Sequence, residues 1–439
     1  MLHGSNADKL LWFALPLAAT GILQQLFNAA DIAVVGRFVG KEAMAAVGSN
    51  APLIGLIVNL FVGIALGTNV VISHSLGQND SGKVSDAVHT SVIVALAGGI
   101  LFAIVGEAVI DPVLKCLSVP DDVFELSALY LRIYMCGLPV IFLYNFEASI
   151  FRSKGDTNTP LIVLTVSGAV NVVLNLVFVL GFKMSVDGVA LATVISNAVS
   201  AGILFVILLK SDGDIRIDPG KLRVNKKILM RILRIGIPAG IQGMIFSLAN
   251  IIIQSAINSL GTTVISASAA AFNVEIVAYY VVNAFGQACT TFTGQNYGAG
   301  NTDRCKKVLK WSIVLALLFT AASCGIILLF GKQILHLFTA EDDIVDTGYI
   351  RLVYIFSSYL FSLLVEVMSG YLRGFGMSML PALSTVIGVC GVRILWIYNV
   401  FPHFNTFPSI MVVYPISMFV TASVLWSIFA FKRKSMYKA

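Results

Sequence analysis

The sequence predicts an all-α integral membrane protein, with twelve transmembrane helices in two pseudo-symmetric six-helix bundles around a central cleft. The first observation is the composition: of 439 residues, 57% are hydrophobic and only 12% are charged. Soluble domains usually carry roughly 25% charged residues, so a water-soluble or disordered chain is excluded. The second observation is a series of apolar stretches. The third is a set of motifs that recur in both halves of the chain.

Twelve apolar stretches are each long enough to cross a bilayer, which takes about 20 mainly apolar residues. The predicted spans are 10–35, 44–72, 88–110, 128–150, 160–181, 187–209, 235–259, 264–292, 308–330, 347–372, 380–401 and 408–431. The one long polar segment lies near mid-chain. We therefore predict an N-terminal six-helix lobe over 1–209, a cytoplasmic basic linker over 210–234 and a C-terminal six-helix lobe over 235–439.

The distribution of Lys and Arg predicts the orientation. With the amino terminus in the cytoplasm, 21 of the 29 basic residues fall on the cytoplasmic side, as the positive-inside rule requires. The apolar run after Lys9 is too long for a signal-peptide core of about 7–15 residues, so it is interpreted as the first span. We expect a multi-pass protein of the cell (plasma) membrane with both termini in the cytoplasm.

Three motifs recur in the same order in the two halves, which indicates an internal duplication. Residues 152–160 recur as 373–381, Pro16 with Asn28 recurs as Pro238 with Asn250, and Gly77-Gln78-Asn79 recurs, after a short gap, as Gly294-Gln295-Asn296. Each half has an even number of spans, so both halves insert the same way up. Parallel repeats of this kind are typical of transporters, whose solute site lies near the membrane midplane.

The first span carries a polar stripe with one carboxylate. Asn28 and Asp31 are three residues apart and share a helix face, which Gln24 continues one turn away. A charge at membrane depth costs about 2.5–3.5 kcal/mol on insertion scales, so it is a candidate functional group. The Asp31 oxygens can bind sodium or take up a proton. The alternative is a helix-end residue near water, since Gly36 and Arg37 follow closely.

Two later spans carry polar pairs at helical spacing. Asn171 and Asn175 share one face of the fifth span, and Thr193 and Asn197 share one face of the sixth. These side chains can complete the shell around Asp31, or they can bond between helices as polar groups in membrane bundles do. The spacing alone leaves both open. No metal site is predicted beyond Na⁺ at Asp31.

The second half offers three further charged candidates. Glu366 and Arg393 lie at about the same depth, roughly 15–18 Å from the cytoplasmic turn between their spans. We expect them to form an ion pair, either as a permanent link between helices or as part of transport. Glu275 lies near the outer start of its span and is a second-lobe substrate candidate. Glu107 and Glu147 lie nearer span ends and are expected at the membrane interface.

The sequence shows no recognised enzyme motif. The chain has neither a GxxxxGK[ST] loop nor an HExxH motif, and its five His are scattered. We therefore expect no cofactor, with H⁺ or Na⁺ as the coupling ion. Pro16, at mid-span, is expected to kink the first helix and act as a hinge.

Several short motifs together resemble the multidrug and toxic compound extrusion (MATE) family over nearly the whole chain. They are Pro16 through Asp31 to Gly36, Gly77-Gln78, the Arg152-x-x-Gly155-Asp156-Thr157-x-x-Pro160 segment, residues 186–193, residues 294–300 and Leu372-Arg373-Gly374-x-Gly376. The resemblance implies two six-helix lobes facing a cleft. It also implies that sodium or protons drive the export of amphiphilic, often cationic, compounds.

The resemblance also assigns residues. A first-helix Asp that works with polar residues of the fifth and sixth helices is matched here by Asp31, Asn171 and Thr193. Asn175 falls where some members carry a second Asp, so a cation cage of two carboxylates is not expected. A seventh-helix acid of some members is replaced by Phe246, which makes the two embedded carboxylates of the second half the candidates there.

The sequence therefore predicts a secondary active multidrug efflux transporter that works by alternating access, in antiport with H⁺ or Na⁺. Its expected partners are small organic, cationic substrates, drawn by an acidic cleft, and membrane lipid; no nucleic acid is expected, and the protein is expected to be a monomer.

Three rival functions are less favoured by the sequence. A flippase for lipid-linked saccharides, the strongest of them, would need a cationic cleft for pyrophosphate, whereas the embedded acids outnumber Arg393. An enzyme of lipid metabolism would need clustered His or Asp at a membrane face, and the sequence shows no such cluster. The duplication and Asp31 argue against a passive channel.

Overall fold

The described residues, 1–116 and 119–437 of a computed structural model, form sixteen helices. The first half contains α1 (Asn6–Phe38), α2 (Lys41–Gly77), α3 (Ser81–Cys116), α4 (Asp121–Cys136), α5 (Leu138–Lys154), α6 (Asn158–Leu176) and α7 (Val186–Lys210). The second half contains α8 (Lys226–Asn258), α9 (Thr262–Gly298), α10 (Thr302–Leu335), α11 (Asp342–Gly374), α12 (Met379–Thr385), α13 (Val392–Asn399), α14 (Phe401–Phe404), α15 (Phe407–Met411) and α16 (Val413–Met436). π-helical turns follow α6 at Val177–Gly181 and join α12 to α13 at Val386–Gly391.

Among the described residues, eleven helical segments are long and apolar enough to cross a membrane. Helices α4 and α5 together make a twelfth span, which is bent by 50°. The twelve predicted spans are thereby confirmed. The bend lies at Gly137, two residues before Pro139, which has no backbone N–H and disrupts the helix before it. Gly137 also packs closely on α7, where an added Cβ would lie 2.4 Å from Val194.

The chain divides into two compact units whose limits differ from the predicted lobes. One unit is Ala19–Gly236, and the other combines Met1–Ala18 with the residues from Ile237 onward. The first half of α1 therefore packs in the second unit, where the rings of Phe13 and Phe292 lie 5.6 Å apart. The first turns of α8 belong to the first unit in the same way. Each of these two helices contributes to both units, a feature that a division at the linker misses.

From α2 to the start of α6 the first half matches the second at an offset of 221 residues, whereas α1 and α8 begin 220 residues apart and α7 and α16 begin 227 apart. Helices α2 and α9 each contain 37 residues and begin 221 positions apart. Left-handed backbone conformations recur at the same offset, in the pairs Gly40 and Gly261, Asn79 and Gly300, and Gly155 and Gly376. The equivalence needs no gap, so the proposed match of Gly77-Gln78-Asn79 with residues 294–296 was wrong. Residues 294–296 lie in the last turns of α9, whereas Asn79 lies beyond the end of α2.

The segment between α7 and α8 (211–225) is docked on α3 rather than forming a loose linker. The His89 Nε2 atom accepts the Asp218 N–H at 2.9 Å, and the amide of Asn225 donates to Asp86 at 2.9 Å. Two isoleucines of the segment, Ile215 and Ile217, are buried in the core of the first unit. These contacts give the segment a defined conformation that its basic composition did not predict.

Candidate functional site

Asp31 lies in α1 and is buried, with 8% of its surface exposed. Its Oδ1 atom accepts a hydrogen bond from Asn175 Nδ2 at 2.5 Å, and its Oδ2 atom accepts one from Thr193 Oγ1 at 3.2 Å. Three helices of one unit, α1, α6 and α7, therefore meet at this carboxylate. Among the described residues, no Lys, Arg or His forms a salt bridge with it, so its protein partners are electrically neutral.

The amides around Asp31 form a second layer of bonds. Asn175 Nδ2 also donates to Asn171 Oδ1 at 3.3 Å, while Asn175 Oδ1 is buried and has no hydrogen-bond partner among the described residues. Asn197 Nδ2 donates to the Thr193 carbonyl at 2.8 Å and does not reach the carboxylate itself. The structure thus brings together the polar pairs of the fifth and sixth spans, with Asn197 on the outside of the group.

Close packing between α1 and α6 allows these side chains to meet. A Cβ at Gly168 would lie 1.8 Å from the Phe27 ring, so only glycine fits at this contact. Phe27 is one turn before Asp31 on α1, and Gly168 is one turn before Asn171 on α6. The two polar positions are consequently held at adjacent levels of neighbouring helices.

Two tyrosines of α4 complete the surroundings of Asp31 and were missed in the sequence. Tyr130 and Tyr134 are within electrostatic reach of the Asp31 carboxylate. Their rings lie 6.3 Å apart and nearly parallel. Their i, i+4 spacing on an apolar span was a usable signal, because a hydroxyl inside a bilayer needs a polar partner.

The rest of the predicted stripe on α1 is not part of this group. Gln24 and Asn28 are exposed, whereas Asp31 is buried. Within the described chain, neither forms a hydrogen bond with Asp31. A shared helix face did not ensure a shared environment, because Asp31 contacts α6 and α7 whereas Gln24 and Asn28 are exposed. The alternative of a helix-end residue in water is excluded by the burial of Asp31.

The charged candidates of the second half are arranged differently from the prediction. The predicted pair of Glu366 and Arg393 is absent from the salt bridges of the described residues. Glu275 instead forms a bidentate pair with Arg351, at 2.7 and 3.0 Å. Glu366 interacts electrostatically with Arg373, two turns further along α11. Equal depth did not imply contact, because the rotation of each helix decides which side chains face one another.

Glu147 was expected at the interface and is instead fully buried. In the described part of the chain, neither of its carboxyl oxygens has a hydrogen-bond partner. By contrast, Glu107 is exposed and pairs with Arg132 at 3.2 Å, in line with its expected position. Pro16 lies inside the continuous helix α1, two residues before the boundary between the units. The hinge role of Pro16 stays a prediction.

Two repeated helical units with twelve apolar spans, and a buried carboxylate held by neutral groups in one of them, define a multi-pass membrane transporter. The MatE family model matches residues 16–178 and 238–398, and the chain belongs to this family. Its members are transporters rather than enzymes.

The relatives and solved structures agree with this assignment. The chain is 29% identical to the probable multidrug resistance protein YoeA of Bacillus subtilis, over 95% of this chain and 92% of the relative. It is 26% identical to the probable multidrug resistance protein NorM of Thermotoga maritima, over 88% and 84%. A structure of a MOP superfamily transporter from Pyrococcus furiosus has the same fold, with a TM-score of 0.92 at 24% identity, over 100% and 98%. The names of these relatives and the shared fold agree with a membrane transporter of the MatE family.

Proposed function

We propose that the protein exports small amphiphilic compounds from the cell in exchange for H⁺ or Na⁺, by alternating access, and that Asp31 binds the ion. The observation that carries the proposal is the burial of Asp31 among neutral donors. A carboxylate in this environment has no fixed countercharge. Binding of a proton or a sodium ion therefore neutralises the negative charge of the site. The proposal places the protein in the plasma membrane as a monomer, with both termini in the cytoplasm.

The position of Asp31 supports a link between ion binding and conformational change. Asp31 lies on α1, the helix that contributes residues 6–18 to one unit and residues 19–38 to the other. Neutralising the carboxylate weakens its hydrogen bonds with α6 and α7, because bonds to a charged acceptor are stronger than bonds to a neutral one. Coupling then requires that ion and substrate favour different conformations. Pro16 is the candidate hinge in this helix.

Either ion is chemically compatible with the group. Sodium requires several oxygen ligands, and the carboxylate, the Thr193 hydroxyl and the unpartnered Asn175 Oδ1 atom supply them. A proton requires only the carboxylate and a nearby acceptor. The amides of Asn171 and Asn175 serve both cases, since an amide side chain presents a donor at one end and an acceptor at the other.

The charge of the substrate is a separate question. A cationic substrate was expected from an acidic cleft, with Glu275 and Glu366 as the candidates in the second lobe. Glu275 is bound to Arg351 and is not free to attract a cation, whereas Glu366 is within electrostatic reach of Arg373 but forms no salt bridge with it among the described residues. The physical basis for a cationic substrate in this unit is therefore reduced to Glu366.

A flippase for lipid-linked saccharides is the second candidate function. It was disfavoured because embedded acids outnumbered Arg393. In the unit that begins at Ile237, however, three arginines are buried against two glutamates. They are Arg351, Arg373 and Arg393, against Glu275 and Glu366. This excess of positive charge suits an anionic headgroup, so the functional test also includes a labelled lipid as a substrate.

The test is efflux of fluorescent organic ions from energised cells or vesicles, with pH and sodium gradients imposed separately. Wild type is compared with Asp31→Asn and with the matched control Asp111→Asn, at an exposed carboxylate paired with Arg132. We expect wild type and the control to follow one gradient and Asp31→Asn to lose that dependence.

Two outcomes would change the interpretation. Gradient-driven efflux by Asp31→Asn equal to that of wild type would remove Asp31 from the mechanism. Efflux of no soluble compound under either gradient, together with movement of a labelled polyprenyl-phosphate lipid between leaflets, would favour the flippase.

A further inference from the structure

A cluster of charged and aromatic side chains is built around Tyr414 in the unit that begins at Ile237. The guanidinium carbon of Arg393 lies 4.5 Å from the centre of the Tyr414 ring, and that of Arg351 lies 5.9 Å from it. Both arginines are buried. Four helices supply the cluster, because Arg351 lies on α11, Arg393 on α13, Tyr414 on α16 and the nearby carboxylate, Glu275, on α9.

Arg351 is fully compensated within this cluster. Its guanidinium donates to both carboxyl oxygens of Glu275, and its Nη1 donates to Ser268 Oγ at 2.6 Å. Tyr359 holds the same turn of α9 by donating its hydroxyl to the Glu275 carbonyl at 3.0 Å. The pair is therefore a closed structural link between α9 and α11 that leaves Glu275 no free charge.

Arg393 is not compensated. It is 2% exposed, and its hydrogen bonds go to neutral groups: Nη1 to Asn250 Oδ1 at 2.8 Å and Nε to Ser417 Oγ at 3.2 Å. Within residues 1–116 and 119–437 no carboxylate lies within salt-bridge distance of it, and its Nη2 group has no acceptor. Because a buried charge without a partner is costly, such a residue in a membrane protein marks a functional site.

The cluster opens to the surface at Asn250. This side chain is exposed, and its oxygen is occupied by Arg393 while its Nδ2 group donates to no described residue. Arg393 and Asn250 therefore form a hydrogen-bonded pair in which each side chain has N–H groups without a described acceptor, with Asn250 at the exposed end. The Tyr414 ring fixes the plane of the guanidinium, whose fork of donors matches the oxygens of a carboxylate or phosphate.

We propose that Arg393 and Asn250 bind the anionic group, a carboxylate or a phosphate, of the compound that the protein transports. The inference rests on the proposed export function and names the chemistry of its substrate. Tyr414 acts as a positioning residue that holds the guanidinium plane. The Arg351–Glu275 pair supplies the rigid, neutral wall behind it.

The repeat in the other unit has the opposite polarity. The position 221 residues before Arg393 is Val172, next to Asn171 in α6. That unit instead buries Asp31 without a basic partner, while the second unit buries Arg393 without an acidic one. Duplication has thus produced a site for a cation in one repeat and a site for an anion in the other.

The test is equilibrium binding to the purified full-length protein in detergent, without ion gradients. Fluorescence anisotropy is measured with carboxyfluorescein, an anionic dye, and with rhodamine 6G, a cationic dye of similar ring system. We expect Arg393→Gln to weaken carboxyfluorescein binding about tenfold to hundredfold, the effect of losing a charge-assisted hydrogen bond. Arg393→Lys should retain part of the affinity for carboxyfluorescein. Asn250→Ala should lose less of this affinity than Arg393→Gln. The matched control is Arg132→Gln, at an exposed arginine.

A purely structural role for Arg393 is distinguished by ligand-dependent thermal stability. We expect carboxyfluorescein to raise the melting temperature of wild type and of Arg132→Gln but not that of Arg393→Gln. The proposal would be overturned if Arg393→Gln lost affinity equally for both dyes. It would also be overturned if this variant bound carboxyfluorescein as tightly as wild type does.

Two competitors identify the source of the anion. Displacement of the dye by geranyl pyrophosphate at lower concentration than by unlabelled organic carboxylates would support the site and assign it to a lipid phosphate. Stabilisation by chloride alone, with no effect of any organic anion, would overturn the assignment to a substrate. Because no gradient is used, these results are independent of whether Asp31 couples transport to an ion.

Discussion

Asn175 and Asp31 are 144 positions apart in the chain, and their side chains are joined by a hydrogen bond of 2.5 Å. The same Asn175 amide group reaches Asn171, so one side chain orders both the carboxylate and its neighbour. Its oxygen is left buried and unpartnered. Because Asn175 lies on α6 and donates directly to Asp31, a change in the charge of Asp31 affects α6 first through Asn175.

Replacing Asn175 by Ala removes the strongest donor to Asp31. A donor to a carboxylate favours its ionised form, and its removal favours the protonated form. If the coupled ion is H⁺, the pH of half-maximal efflux should move upward by about one to two units, since such a bond contributes about 1.5–3 kcal/mol and one pKa unit corresponds to about 1.4 kcal/mol. If it is Na⁺, the sodium concentration for half-maximal efflux should change instead.

The measurement is initial efflux rate against pH and against sodium concentration. The matched control is Asn399→Ala, because Asn399 is exposed and bonds only to its own helix, at the Leu395 carbonyl. Unchanged pH and sodium profiles in Asn175→Ala would exclude Asn175 from the ion site.

The ion pair of Glu275 and Arg351 predicts a strongly non-additive effect on stability. Glu275→Gln leaves the Arg351 guanidinium buried without a countercharge and should lower the free energy of unfolding by about 3–5 kcal/mol. The double variant Glu275→Leu with Arg351→Met removes both charges. It should be much less destabilised than either single variant, because neither charge is then left buried and unpaired.

Thermal unfolding in detergent checks this prediction, with Glu107→Gln as the exposed control. A transport defect in Glu275→Gln without loss of stability would argue against a structural pair and would return Glu275 to the candidate transport residues.

The transmembrane spans and the group of side chains around Asp31 could both be predicted from the sequence, but for different reasons. Spans follow from a local property, the length of each apolar run. The convergence of Asn171, Asn175 and Thr193 on Asp31 follows from helical spacing combined with the resemblance to a family. By contrast, the partner of Glu275 depends on the rotation of α9 against α11, which no local pattern encodes. For the same reason the predicted contact of Glu366 with Arg393 was wrong.

The close approach of α9 and α11 predicts the effect of one added methyl group. A Cβ at Gly370 would lie 2.1 Å from the Gly286 carbonyl oxygen, which is rigid backbone. Gly370→Ala should therefore push the helices apart and lower stability by about 1–3 kcal/mol. The control is Gly202→Ala in α7, where nothing lies within 4 Å. It should raise stability by up to about 1 kcal/mol, because Ala favours the helix.

Melting temperatures of the two variants, measured in the same detergent, show whether the contact between helices or the helix propensity of Ala determines the change in stability. If both substitutions shift the melting temperature in the same direction, the tight contact between α9 and α11 does not determine the result.

The docked segment between α7 and α8 predicts a change in local unfolding. His89 is buried and joins this segment to α3, because its Nε2 accepts the Asp218 N–H and its Nδ1 lies 2.6 Å from the Ser85 carbonyl. His89→Ala removes this link and leaves the Asp218 N–H without its acceptor. Since an unmade hydrogen bond of this kind costs about 1–3 kcal/mol, the population of the opened segment should rise about tenfold or more.

Limited trypsin digestion measures that opening, because Arg216, Lys221 and Arg223 lie within the segment. Cleavage within this segment should be about tenfold faster in His89→Ala than in wild type when opening precedes cleavage. The control His403→Ala replaces an exposed histidine elsewhere and should cleave like wild type. Equal cleavage of all three proteins would mean that the buried Ile215 and Ile217 hold the segment without His89, because their burial in the core does not depend on the imidazole.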